Sequence, residues 1–430
     1  MTGGLAKTWD RVPLKDICEQ INYGYTASAK QEQIGPKFLR ITDIVDELIT
    51  WESVPYCKIS EKEFAKYELQ EGDIVIARTG ATSGYAKMIK KHPKAVFASY
   101  LVRLRIKEKY DWRYVGLVVE SDDFKRYIKS VIGGAAQPQA NAQVLTSFPI
   151  PLPPLPTQRK IAIILSAYDD LIENNARRIK ILEEMAQMVY REWFVNFRFP
   201  GHEKVKMVES ELGMIPEGWE TKTLADVLET IESGSRPKGG VSSTSGEVPS
   251  IGAENIIGLG KYDYSKDKYV SRLFFESMRK GRLRDKDVLL YKDGAQIGRK
   301  SMFQSSFPHS VCCINEHVFI LRTNQLCTQN YLYFWLDQAD MTQNIKNLNA
   351  NAAQPGINQA GVKTLSILLP PRELLGGFDK VAEPLLGELF NLAKKNNVLR
   401  RTRDLLLPRL ILGELDVENL DIDMERLDNG

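Results

Sequence analysis

The sequence predicts an α/β chain of the α+β kind: two pseudo-symmetric mixed α/β domains separated by long helices that form an antiparallel coiled coil. Three observations predict it. One half of the chain repeats the other in three blocks, each half closes on a proline-rich segment, and a long amphipathic run follows each closure. At 430 residues the chain exceeds one ordinary domain and suits two, each able to bury its own core.

The first block pairs TWDRVPLKDICEQI (8–21) with GWETKTLADVLETI (218–231), setting Trp9 against Trp219. The second pairs GDIVIARTGATSGYAKM (72–88) with KDVLLYKDGAQIGRKSM (286–302), with Gly80 against Gly294 and the same Asp–apolar–polar–Gly order. The third pairs AAQPQANAQVLTSFPIPLPP (135–154) with AAQPGINQAGVKTLSILLPP (352–371). Three blocks in one order, with a slowly drifting offset, imply one fold used twice. The boundaries follow: a first domain over 1–154, a helix over 155–198, a second domain over 199–371, a second helix over 372–415 and an acidic tail over 416–430.

Within the domains, DIVIA (73–77), YLVRLRI (100–106), DVLLY (287–291) and HVFILRT (317–323) are apolar, β-branched and bounded by turn formers, so they predict strands. Short helices are expected at 111–130 and 329–346. PIPLPPLPTQ (149–158) and LPPRE (369–373) punctuate the domain ends, because proline continues neither a sheet nor a helix interior. After the first, Thr157 is a cap candidate. Apolar residues then recur at Ile161, Ile164, Tyr168, Leu171, Leu182, Met185 and Val189, with no Gly or Pro up to about Phe194. At about 1.5 Å per residue that run reaches on the order of 55 Å. The second run carries Phe378, Val381, Leu385, Leu389, Leu392, Leu399 and Leu406, bounded by Gly376–Gly377 and interrupted by Pro384 and Pro408. Asn174–Asn175 and Asn396–Asn397 fall in the middle of the two stripes; such pairs either set helix register or face solvent.

Composition excludes several classes. The chain is 43% hydrophobic and 26% charged, and no stretch approaches the ~20 apolar residues of a membrane span. The start, MTGGLAKTWDRVPL, lacks the apolar core of a secretion signal, so a cytoplasmic protein without a membrane partner is expected. Five cysteines without metal-type spacing read as buried reduced thiols. Net charge is +3, but the tail holds six acids against one arginine, a local −5, leaving +8 on residues 1–415. A polyanion partner is permitted.

No catalytic constellation emerges. In GAQIGRKS (294–301) two glycines enclose three residues rather than four and Arg299 stands where a phosphate loop has lysine; GATSGYAK (80–87) lacks the Lys–Ser pair. The repeated Gly spacing reads better as a hairpin or close-approach loop. Leu152 and Leu369 stand where an adenine methyltransferase would carry Asn or Asp before Pro-Pro, and no glycine-rich dinucleotide turn is present. His92, His202, His309 and His317 show no metal-ligand pairing. No cofactor or metal is expected on the chain, and no catalytic residue.

Nucleic-acid recognition asks for cationic and amide side chains on loops beside free backbone N–H groups. The first half offers Tyr23, Tyr25, Thr26, Ser28 and Lys30, then Arg78, Thr79, Ser83 and Lys87, then Lys90, Lys91 and Lys94. The second offers Ser235, Arg236 and Lys238, then Lys292, Gln296, Arg299 and Lys300. The alternative is that these are solvated turns. Gln137 and Gln354, each in AAQP, read first as turn residues and second as adenine readers.

This order, with PLPPLPTQRKIAIILSAYDDLIENNARRIKILEEMAQMVYREWF (151–194) and NNVLRRTRDLLLPRLILGEL (396–415), resembles the specificity subunits of type I restriction-modification systems. WFVNFRFPGH (193–202) and GMIPEGWE (213–220) are similar to that family's junctions between helix and second domain. The resemblance implies two target-recognition domains, each reading half of a split site in double-stranded DNA, and helices that fix the unread spacing and dock two modification subunits. It implies S-adenosylmethionine on those subunits, and ATP and Mg on recruited restriction subunits. A single chain that both recognises and modifies or cuts DNA is the enzyme alternative. A coiled-coil adaptor whose domains bind protein is the other.

Overall fold

The structure is a computed structural model describing residues 9–45, 48–132, 140–242, 246–294, 296–348 and 356–422. It divides into two compact units, one of residues 1–173 with 399–430, the other of residues 174–398. Both divisions fall inside the long helices, which run Leu155–Tyr190 and Arg372–Ile411.

In the first unit an antiparallel sheet is formed by β1 (Cys18–Tyr23), β2 (Ile74–Ala77), β3 (Ala86–Met88) and β4 (Leu101–Ile106), in the order β1-β4-β2-β3. β2 is buried throughout, which its Ile-Val-Ile-Ala run allows because both faces are covered. On one face Ile74, Ile76, Val102 and Leu104 meet Tyr114, Val118 and Phe124 of the helices Trp112–Glu120 and Asp122–Ile132. That core continues into Ile161, Ala162 and Leu165 of the first long helix and Leu410, Ile411 and Val417 near the chain's end. Leu39, Val75, Ala77, Phe97 and Leu101 form a second cluster. Here the long-helix segments are joined by Arg403, whose guanidinium donates to Asp169 at 2.7 Å.

The second unit repeats the sheet with β5 (Leu228–Ser233), β6 (Asp287–Tyr291), β7 (Lys300–Phe303) and β8 (Val318–Thr323), in the matching order β5-β8-β6-β7. The expected helices again come as two pieces, Gln329–Leu336 and Ala339–Asn347. Tyr331 and Phe334 pack on Tyr190 and Phe378 of the long-helix segments and on Phe194 in the turn that follows the first, with the rings of Phe194 and Tyr331 4.8 Å apart. Each such ring contributes about 1.5–3 kcal/mol by burial, so the helices are part of this unit's core. Asn175 faces Asn396, Arg178 faces Glu388 and Tyr190 faces Phe378, so the two segments run antiparallel.

A buried ion pair is repeated with the sheet. Arg105 grips Asp73 through Nε and Nη2 at 2.9 and 3.1 Å; Arg322 grips Asp287 through the same atoms at 2.6 and 2.7 Å. Each aspartate also accepts the N–H three residues before it, from Gln70 and Arg284. The sheet therefore carries its own turn fastener.

Four expectations about the elements are corrected. The first long helix begins at Leu155, so Thr157 lies buried inside it and does not cap it. Its buried stripe is Ile161, Leu165, Ile172, Asn175, Ile179, Ala186 and Tyr190, while Leu171 and Met185 are about half exposed, at 51% and 45%. Small and polar seam residues such as Ala186 and Asn175 hide the register, because hydrophobicity alone follows the larger neighbours. The second long helix is continuous through Gly376, Gly377, Pro384 and Pro408. Proline costs a helix roughly 3 kcal/mol, and burial of Phe378, Ala382, Leu386, Leu389 and Phe390 offsets it. Finally, Pro149–Pro151 does form a strand, paired among the described residues with Arg11–Pro13 alone, an edge position where a missing N–H is tolerated.

Candidate nucleic-acid interface

The Gly-containing loops connect antiparallel neighbours, β2 to β3 and β6 to β7, and so are hairpin loops, without the strand-to-helix geometry of a phosphate loop. They close alike: Gly84 N–H donates to Ala77 O and Gly298 N–H to Tyr291 O. Gly80, Gly84, Gly294 and Gly298 all have φ between 69° and 88°, the left-handed region glycine enters freely. The sheets also share a tight crossing after β1 and β5. A Cβ on Gly24 would lie 2.2 Å from Ala98 O, and one on Gly234 1.7 Å from Ile314 O.

Three side chains of the first domain gather at one end of its sheet: Tyr23 at the end of β1, Arg78 after β2 and Tyr100 before β4. The Arg78 guanidinium lies over the Tyr23 ring, 4.9 Å from its centroid. Arg78 N–H donates to Tyr100 O at 3.1 Å, Arg78 O accepts Ala140 N–H at 2.8 Å, and Tyr23 Oη accepts Ala142 N–H at 2.9 Å. Tyr23 and Tyr100 are 43% and 59% exposed.

In the second domain the matching positions hold Ser233, Lys292 and His317. Lys292 repeats the backbone pattern, donating to His317 O at 3.1 Å and accepting Ile357 N–H at 2.9 Å. Its surroundings differ. Lys292 Nζ is 3.6 Å from Asp293, His317 lies between Asp293 at 3.0 Å and Glu316 at 3.3 Å, and Glu316 holds Arg236 at 2.8 Å. One scaffold thus carries an arginine over the exposed Tyr23 ring in one domain and, in the other, a lysine over Phe319 beside a run of acidic, imidazole and basic groups.

The predicted residues divide accordingly. Arg78 and Thr79 meet at the sheet end, with Tyr25 one step along, where its backbone bridges to Ala98 and its hydroxyl donates to Glu63. Ser28 and Lys30 are exposed further on, Lys30 bridging to Tyr56. Lys87, Lys90 and Lys91 lie toward the other end, because β3 runs back along β2 and Met88 sits opposite Ile74. There Lys87 is 3.7 Å from Glu120, Lys90 is 3.5 Å from Asp170, and Lys91 is exposed. In the second domain Lys238, Gln296 and Arg299 are exposed, with Arg236 and Lys292 in the charge chain.

Two residues predicted to face a ligand do not. Ser83 is buried, its hydroxyl enclosed. Lys300 is 8% exposed; Nζ donates to Leu336 O at 2.8 Å and Thr342 Oγ1 at 2.6 Å, with Asp337 at 3.5 Å. Alternation explains both, since one-residue steps on a strand or tight loop reverse the side chain's direction. Sequence reading missed Tyr100, Asp293, Glu316 and His317 as site residues; the repeat offset carries Arg78 and Thr79 to Lys292 and Asp293, while Tyr100, Glu316 and His317 join the site through strand pairing. Gln137 and Gln354 lie outside the described residues. No helix among the described residues is long and apolar enough to cross a membrane, and those residues bring together no group of three metal-type ligands.

Comparison with known proteins agrees with the duplication. The type I restriction modification DNA specificity domain matches twice, over residues 6–184 and 216–374. The chain belongs to this family. It is a two-domain member of the type I specificity family, its recognition domains being the two repeats described above. It is similar along nearly its whole length to the MjaIX type I restriction enzyme specificity subunit of Methanocaldococcus jannaschii, at 27% identity over 97% of this chain and 96% of the relative. It is also similar to the HindI specificity subunit of Haemophilus influenzae, at 24% identity over 70% and 77%. The fold is that of the type I restriction-modification S subunit from M. genitalium, with TM-score 0.55 at 15% identity over 94% of this chain and 96% of that one.

Proposed function

We propose that this specificity-family chain binds double-stranded DNA without catalysing any reaction, each domain reading one half of a bipartite site. The long helices set the number of unread base pairs and dock two modification subunits. S-adenosylmethionine belongs to those subunits, and ATP and Mg to restriction subunits that join the assembly. The observation that carries the reading is the duplicated sheet end. Its backbone hydrogen bonds are kept while its side chains change from Tyr23, Arg78 and Tyr100 to Ser233, Lys292 and His317, as two readers of different half-sites require. Two readers on a stiff spacer gain affinity together only at the matching separation, so spacing becomes part of specificity.

Docking is supported by the first long helix. Within the second unit Ile181, Met185 and Met188, at i, i+4 and i+7, are 53%, 45% and 63% exposed. An exposed apolar strip of this kind suits burial by a partner subunit. The test is to exchange the second domain for that of a family relative and map adenine methylation by the complex with modification subunits. One half of the methylated motif should change. An unchanged motif would favour the coiled-coil adaptor without DNA readout.

A further inference from the structure

Arg78 combines three properties that ordinary surface arginines lack. Its backbone is pinned on both sides, by Tyr100 O and Ala140 N–H, and the ring beneath it is pinned through the Tyr23 hydroxyl. Its Nε is enclosed and has no hydrogen-bond partner among the described residues. The guanidinium is thus partly withdrawn from water while the stabilisation on display comes from a ring face, which leaves its charge incompletely satisfied. Tyr23, over which the guanidinium lies, and Tyr100, whose carbonyl takes the Arg78 N–H, are both exposed. The site is built to present a fork of N–H donors in a fixed direction.

A fork of donors is complementary to two adjacent acceptors. On the major-groove edges of DNA only guanine presents two, N7 and O6; adenine pairs an acceptor with a donor, cytosine offers a donor, and thymine offers one acceptor and a methyl group. A phosphate also presents two acceptors. Two features favour the base. Phosphate contacts are typically made by clustered cations, and the Lys87–Lys91 cations lie toward the opposite end of this sheet. The ring against which Arg78 lies is an exposed tyrosine, an apolar face suited to base edges and thymine methyl groups. In the second domain the matching Lys292 is a point charge beside Asp293, so the same contact is not repeated there.

Resting on the DNA-reading function proposed above, we infer that Arg78 is a specificity-determining residue of the first domain, donating to the N7 and O6 of one guanine in that domain's half-site. The test uses the complex with modification subunits and compares methylated motifs for the wild type, Arg78→Gln and Arg78→Lys. Preference for guanine at one position of one half-site should fall roughly ten-fold or more in Arg78→Gln, with the other half unchanged. Arg78→Lys, which keeps the charge and loses the fork, should relax the same position. A measurement on unaltered protein guards against misfolding of the variants: 7-deazaguanine at that position, which lacks N7, should weaken wild-type binding several-fold and leave Arg78→Gln binding unchanged.

Variants that bind more weakly at all sequences, with a salt dependence lower by about one ion and an unchanged motif, would make Arg78 a phosphate contact and overturn the inference. An unchanged motif at unchanged affinity would also overturn it. If the wild-type complex methylates no motif that depends on this chain, the DNA-reading function itself fails, and that outcome is visible before any variant is made.

Discussion

Asn175 Nδ2 donates to Asn396 Oδ1 at 2.9 Å across the seam between the long-helix segments of the second unit, and both residues are buried. Around them the seam is apolar, with Ile179, Leu392 and Ala393. A hydrogen-bonded amide pair in an apolar seam penalises any sliding that would leave either amide facing a hydrocarbon side chain. The register of the helix pair is thereby tied to two residues.

Replacing Asn175 with leucine should destabilise the chain by about 1–3 kcal/mol in urea unfolding, since a buried amide of Asn396 loses this partner. Asn175→Leu combined with Asn396→Leu should recover most of that loss. If the double variant were as unstable as the sum of the singles, the pair would not be coupled.

The fasteners Asp73–Arg105 and Asp287–Arg322 are expected to respond unequally. Arg322→Met leaves a buried carboxylate with the Arg284 N–H but without its gripping guanidinium and should cost about 3–5 kcal/mol. Arg105→Met should cost less, because Arg103 also stands 3.9 Å from Asp73. Burial already pushes the Asp287 carboxyl above its ordinary 3.8, with Arg322 opposing. Without Arg322 it must rise further. The folded variant then takes up a proton that the unfolded chain does not, so its deficit should be full above the folded pKa and shrink as pH falls through it. Denaturation between pH 7 and 5 measures this, and a deficit that grew on acidification would contradict it.

Lys300 and Arg299 are neighbours with opposite expected roles. Lys300→Ala should lower stability by about 3 kcal/mol through loss of its buried contacts with Leu336, Thr342 and Asp337, with no change in the methylated motif. Arg299→Ala and Lys238→Ala should leave the unfolding transition within about 0.5 kcal/mol. If they touch phosphates, each should lower the salt dependence of DNA binding by about one ion. Titrations at several salt concentrations separate these outcomes.

All five cysteines are free and buried. Burial pushes the Cys18 and Cys327 thiols up to about 12 and the Cys57 and Cys313 thiols up to about 11. Native protein should therefore resist iodoacetamide at pH 8 and incorporate five labels only after unfolding, as mass spectrometry would show. Rapid labelling of Cys18 in the native state would contradict the described core.

Duplication made much of the fold legible, because a block repeated in the same order marks one fold used twice, and the repeated Asp–apolar–polar–Gly block falls on a hairpin in both halves. Strands such as Asp287–Tyr291 and Val318–Thr323 declared themselves by β-branched runs. The helix seam did not, since its register depends on Ala186 and Asn175, which carry little hydrophobic signal. Pro384 hid the continuity of the second long helix for a related reason: local propensity opposes it and tertiary burial decides. At the sheet ends, composition found the cations but not their partners. Asp293 and Glu316 meet His317 and Arg236, 24 and 80 residues away, only once the sheet is folded, and Lys300 was indistinguishable from Arg299 without the strand's alternation.

Bipartite DNA reading is tested by co-expressing this chain with candidate modification subunits and mapping methylated adenines across the genome, with and without the chain. A single bipartite motif with a fixed gap, present only when the chain is present, is the expected result. Methylation that is absent, or whose pattern is the same without the chain while the partners are expressed, would contradict it.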